Sequence, residues 1–194
     1  MKIACLHTAE SNAPLFDEAA VALGVDVRHT VRADLYQRAI ELGGADEAIL
    51  AETAAALAEL EGDVVLLTCS TIGAAAARVG ALRVDDALAE AAVSGGGVVE
   101  VFVTTPTTIE PTRVLFESHA AQTGARVEIT LIEGALEAFL AGDLTHYAKV
   151  IAEAADRSVA DVIALAQASM APAVHLMARP ALTSRDSRLA PTSS

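Results

Sequence analysis

Two segments, DVVLLTCST from Asp63 and DVIALAQAS from Asp161, place the tightest limit on what this chain folds into. Each starts at an aspartate, runs through apolar residues without alternation, and ends in small and polar side chains. A short unbroken apolar run is the pattern of a strand buried on both faces, as in parallel sheets covered by helices. Aligned from their aspartates, Val64 falls on Val162, Val65 on Ile163, Leu67 on Leu165, Cys69 on Gln167 and Thr71 on Ser169.

The order of the surrounding segments repeats too. The first half reads as a strand over 2–6, a helix over 14–23, a strand over 25–31, a short helix ended by Gly43-Gly44, an amphipathic helix over 45–60 and the Cys69 strand. A helix start at 74–80, a short strand at 82–84 and a helix over 85–93 complete it. The second half reads as a strand over 98–103, a helix with Pro111 in its first turn and Gly124 at its end, a strand over 127–132, helices over 134–140 and 144–155, and a strand over 161–165. Strand alternating with helix predicts a parallel sheet. The expected fold is therefore α/β: two pseudo-symmetric, Rossmann-like (flavodoxin-like) parallel-sheet halves with the site in the cleft between them. The expected division is 1–93, carrying Cys69, and 98–178, carrying Gln167, with Ser94-Gly95-Gly96-Gly97 as the boundary. A terminal segment 179–194 follows, in which 181–183 suits an edge strand and disorder is expected beyond about Arg188.

Cys69 sits where a strand ends, and in open α/β sheets ligands bind outside the carboxyl ends of strands. A helix starting just after it would present free N–H groups and stabilise a thiolate. Thr68, Ser70 and Thr71 around it suit a polar site better than a core. Cys5, inside the first apolar strand, reads as core. The net charge of −13, without basic clusters, argues against nucleic acid and anionic membrane surfaces as partners. No apolar run is long enough for a membrane span and no signal-peptide core follows Lys2, so a cytoplasmic protein is expected. Two cysteines make no disulfide framework, and the five histidines show no metal-ligand spacing with them, so no metal site is expected.

The stretches VLLTCSTIG, RVDDALAEAA, VTTPTTIEPTR, LIEGALEAFLAGD and LAQASMA, in that order, resemble the aspartate/glutamate racemase superfamily. This group includes hydantoin racemases, maleate isomerases and arylmalonate decarboxylases. The resemblance implies a cofactor-independent racemase or isomerase that moves a proton at the carbon α to the carboxylate of a small acid, commonly as a homodimer. Such racemases use two thiols in pseudo-symmetric positions. Here the first matches Cys69 and the second matches Gln167, which is neither acid nor base near neutral pH. Three routes then stay open. Cys69 acts with a partner such as His7, whose imidazolium would lower the thiol pKa. It acts alone, as in the single-cysteine decarboxylases of malonate-type acids, although their thiol belongs to the other half. Or it attacks covalently, as in maleate isomerases. A non-catalytic small-carboxylate-binding protein is the reading from a different class. Expected substrate-binding residues are Thr8, Ser11, Asn12, Ser70, Thr71, Thr105, Thr107, Thr108, Gln167 and Ser169, with Asp34 and Tyr36 on a loop over the site.

Overall fold

The computed structural model describes residues 1–184. The disorder expected beyond about Arg188 lies outside them. The first sheet is built from β1 (Lys2–His7), β2 (Asp26–Val31), β3 (Val64–Leu67) and β4 (Leu82–Arg83), and the second from β5 (Val98–Val103), β6 (Arg126–Leu131), β7 (Val162–Leu165) and β8 (Leu182–Thr183). The orders are β2-β1-β3-β4 and β6-β5-β7-β8, and every pairing is parallel. Helices α1 (Ala13–Leu23), α2 (Ala33–Leu42), α3 (Glu47–Ala58), α4 (Asp86–Val93), α5 (Ile109–Thr123), α6 (Ala135–Leu140) and α7 (Leu144–Asp156) flank the sheets.

The two halves obey one register. Leu6 pairs with Leu67 in the first sheet and Phe102 with Leu165 in the second. Counting two residues on from each pair places Thr8 against Thr104 and Cys69 against Gln167, the equivalence read from the two aspartates. Those aspartates do matching work: Asp63 Oδ2 accepts from the Lys2 N–H at 2.8 Å, and Asp161 Oδ2 accepts from the Val98 N–H at 2.8 Å. Gly97 is needed beside Asp161. Its φ is +76°, and a Cβ there would lie 2.6 Å from the carboxylate.

The halves also interlock. Leu88, Ala89, Ala92 and Val93 of α4 pack with Val99, Val101 and Phe116, so a helix that precedes the Ser94–Gly97 turn fills the core of the second half. Ala168, just after β7, packs with Ile3, Cys5 and Leu66 of the first. After Cys69 the chain takes a 3-10 turn (Gly73–Arg78) rather than the α-helix expected at 74–80. The corresponding segment after Gln167 is likewise 3-10 (Ala168–Leu176) and contains Pro172, which cannot donate to a helical ladder. No helix among the described residues is long and apolar enough to cross a membrane.

Candidate active site

In each sheet the chain leaves the first strand toward one neighbour and returns on its other side. The switch points are therefore the carboxyl ends of β1 and β3, and of β5 and β7, where a crevice opens. The four segments that leave these ends, with side chains from α2, α6 and α7, line one cavity of about 500 Å³ including its open mouth. Among the expected residues, Thr8, Asn12, Ser70, Thr71, Thr105, Thr108, Gln167 and Ser169 all line it with Cys69 and Tyr36. No charged side chain among the described residues does so. Thr107 stands behind the wall, its Oγ1 3.3 Å from Thr71 Oγ1. Ser11 is exposed and outside the lining, and Asp34 is engaged by Arg32 at 2.7 and 2.8 Å.

The Cys69 thiol is pushed up from the ordinary thiol range, first by burial and to a lesser degree by the charge of Asp85. The Thr8 hydroxyl and the backbone N–H groups of Ile72 and Thr71 work the other way by donating to the sulfur. This corrects the expectation of a depressed thiol. The 3-10 turn supplies two N–H groups but no long helix dipole, and among the described residues no cationic side chain lines the cavity to outweigh desolvation. The resting group at neutral pH is thus a thiol with a thiolate cradle already in place.

The pairing of His7 with Cys69 is also corrected. His7 shares its face of β1 with Cys5, and side chains alternate across a strand, so this face packs on α1 while Thr8 turns into the cavity. His7 is completely buried, its ring 5.2 Å from that of Phe16. Its Nδ1 lies 2.8 Å from Thr68 Oγ1 and its Nε2 lies 2.8 Å from His29 Nδ1, while His29 Nε2 meets Asp17 Oδ1 at 3.1 Å. Burial first, then His29, pushes the His7 imidazole down to about 4. It is a neutral core residue behind the site, and Thr8 is the side chain that reaches the sulfur.

Across the cavity Gln167 is held in the same manner as its counterpart. Its Oε1 accepts from the Thr104 N–H at 2.6 Å and from the Thr104 hydroxyl at 3.0 Å. Thr8 serves Cys69, and its equivalent Thr104 serves Gln167. Two aromatics missed by sequence reading complete the wall, Tyr147 and Phe139. The Tyr147 hydroxyl lies 2.9 Å from Ser169 Oγ and 3.3 Å from Thr104 Oγ1, and the Tyr36 hydroxyl lies 3.2 Å from Thr105 Oγ1. Asn12 is 7% exposed and lines the cavity, yet its Oδ1 is buried with no hydrogen-bond partner. An unmet buried amide oxygen costs about 1–3 kcal/mol, a cost that a bound donor would remove.

Among solved structures, an allantoin racemase aligns over nearly the whole chain. The chain shares the fold of an allantoin racemase. That enzyme, from Pseudomonas fluorescens, superposes with a TM-score of 0.65 at 17% identity, over 97% of this chain and 88% of the other. An ABC domain from Streptococcus pneumonia, solved in complex with L-Trp, aligns with a TM-score of 0.33 at 13% identity, over 89% of this chain and 68% of the other. No protein-family model and no curated protein matches the sequence.

Because Thr8 donates to the sulfur, Thr8→Val is expected to raise the thiol pKa further. Alkylation of Cys69 by iodoacetamide, followed across pH by peptide mass spectrometry, should inflect above the ordinary thiol range in the wild type and higher still in the variant. An inflection below about pH 8 would mean an activated thiolate instead.

Proposed function

We propose that this protein is a cofactor-independent enzyme of racemase or isomerase type that moves a proton at the carbon α to the carboxylate of a small acid, with Cys69 as the proton-carrying group. The observation that carries this reading is the pair of equivalent positions facing one cavity, Cys69 with three donors on its sulfur and Gln167 with none of an acid's chemistry. The substrate carboxylate is taken by neutral donors, the hydroxyls of Thr105, Ser70 and Ser169, while the Thr108 hydroxyl is spent on the Thr105 carbonyl at 2.6 Å. Asn12 Oδ1 accepts from an N–H or O–H of the same molecule. For exchange, the thiolate fraction of Cys69, held by Thr8 and the Thr71 and Ile72 amides, takes the α proton to become the thiol and then returns a solvent-exchanged proton to the same face of the carbanion. A homodimer belongs to this reading as well.

A single thiol serves one face of the carbanion only. Proton exchange at the α carbon should therefore outrun inversion of configuration. The test is NMR of small amino acids, hydantoins, allantoin and substituted malonates in D₂O, read together with optical rotation. Deuterium incorporation faster than loss of rotation is the expected result. Equal rates would require a second acid opposite Cys69. The thiol held protonated by burial also favours decarboxylation of a malonate-type acid, in which the carbanion left by CO₂ takes the Cys69 proton; that outcome would appear as product deuterated at the α carbon. Binding shifts with neither exchange nor decarboxylation would leave a small-carboxylate-binding protein and sink the enzymatic reading.

A further inference from the structure

Behind the cavity, three side chains that the sequence scatters are gathered on one face of the first sheet. β1 pairs with β2 so that Cys5 stands opposite His29, and His7 is two residues along from Cys5 on the same face. Cys5 Sγ and one ring nitrogen of each histidine lie within 4.8 Å of one another. Cys5 and His7 are 1% and 0% exposed, and His29 is partly buried.

The decisive feature is what the other ring nitrogens do. A metal-bound histidine usually donates its second N–H to a carboxylate or a neighbouring oxygen, which fixes the ring. His7 Nδ1 already lies 2.8 Å from Thr68 Oγ1, and His29 Nε2 lies 3.1 Å from Asp17 Oδ1. The nitrogens left over, His7 Nε2 and His29 Nδ1, face each other across 2.8 Å. Tetrahedral zinc, with Zn–N of about 2.0–2.1 Å, sets such nitrogens about 3.3–3.4 Å apart. Opening the pair by roughly half an ångström gives the nitrogens that spacing, and the Cys5 sulfur, within 4.8 Å, closes to the about 3.6 Å that a Zn–S bond of about 2.3 Å requires.

We propose that Cys5, His7 and His29 form a binding site for a thiophilic divalent ion of the zinc class, separate from the cleft. One thiolate and two imidazoles are the ligand types that zinc prefers. Water supplies the fourth position, since Asp17 is held on the far side of the His29 ring. On binding, the Cys5 thiol gives up its proton to solvent, the His7 proton resides on Nδ1 and is donated to Thr68, and the His29 proton stays on Nε2 toward Asp17. Affinity therefore rises with pH. The expectation that no metal-ligand spacing exists counted residues along the chain, whereas the spacing that matters runs across the β1–β2 ladder.

The test uses the chelator-stripped full chain titrated with Zn(II) against a chromophoric competitor, with metal content measured by atomic emission after desalting. One ion per chain is expected. His29→Gln and Cys5→Ser should each weaken binding more than about 100-fold and Asp17→Asn about 10–100-fold, while Cys69→Ser leaves it unchanged. Cobalt(II) in place of zinc should give a thiolate charge-transfer band that Cys5→Ser abolishes. Because Cys5→Ser alters a core residue, the loss of binding in His29→Gln, at a partly buried position, gives an independent readout. No retained ion, or binding that survives both His29→Gln and Cys5→Ser or disappears in Cys69→Ser, overturns the site.

Discussion

Cys69→Ser is expected to lower turnover of any acid that exchanges its α proton by about 10²–10⁴-fold, the usual contribution of one positioned acid or base. The substitution keeps shape and most packing, and Thr8 and the Thr71 and Ile72 amides still find an oxygen to hold. What it removes is a proton of suitable acidity, since a serine hydroxyl ionises far above any thiol. The loss should fall on kcat more than on KM, because the group acts on the reacting carbon rather than on the carboxylate. The pH profile carries a sign. Burial raises the thiol, so the thiolate that removes an α proton is scarce at neutral pH and exchange should rise as pH climbs toward the raised value, whereas a decarboxylation in which Cys69 donates should decline only as pH passes through it. Thermal unfolding recorded beside the kinetics excludes a folding defect. Full activity in Cys69→Ser would move the chemistry to another group.

Much of this arrangement is legible along the chain because it is local. Unbroken apolar runs at Val64–Leu67 and Val162–Leu165 mark buried parallel strands, and the aspartates before them fix the equivalence of Cys69 with Gln167 that the ladders reproduce. The hydroxyls following each strand are found at the cavity for the same reason. Other features depend on which face of an element meets which neighbour. Whether His7 looks into the cleft or onto α1 is decided by strand parity relative to the crevice, and one residue of difference gives the role to Thr8. Tyr147 and Phe139 come from helices far along the chain from both strand ends, so only the packing of α6 and α7 brings them to Ser169 and Thr104. That α4 serves the second half is equally invisible, since an amphipathic helix does not state which sheet it covers.

The largest stability effect is expected where the chain buries an ion pair beneath the Cys69 turn. Arg83 Nε and an Nη donate to the two oxygens of Asp85 at 2.9 and 2.8 Å, and the side chains are only 15% and 2% exposed. Asp85→Ala leaves a buried guanidinium without its anion, which costs about 3–5 kcal/mol. For a chain of this size that lowers Tm by about 6–20 °C. The pair replaced as a whole, Arg83→Met with Asp85→Leu, should recover most of the loss, because the penalty is the orphaned charge and not the absence of a salt bridge. Gly73 makes the pair sensitive from above. A Cβ there would sit 2.5 Å from Arg83 Cζ, and the guanidinium cannot retreat without leaving Asp85, so Gly73→Ala should cost about 1–3 kcal/mol by overpacking. The same charge raises the Cys69 thiol, so Asp85→Ala should also speed alkylation of Cys69 at neutral pH under conditions where the fold persists. Unfolding curves for the single and double variants, read with that alkylation rate, decide the matter. An Asp85→Ala change of less than about 0.5 kcal/mol, the level of an ordinary surface substitution, would mean that the pair is solvated and does not support the turn.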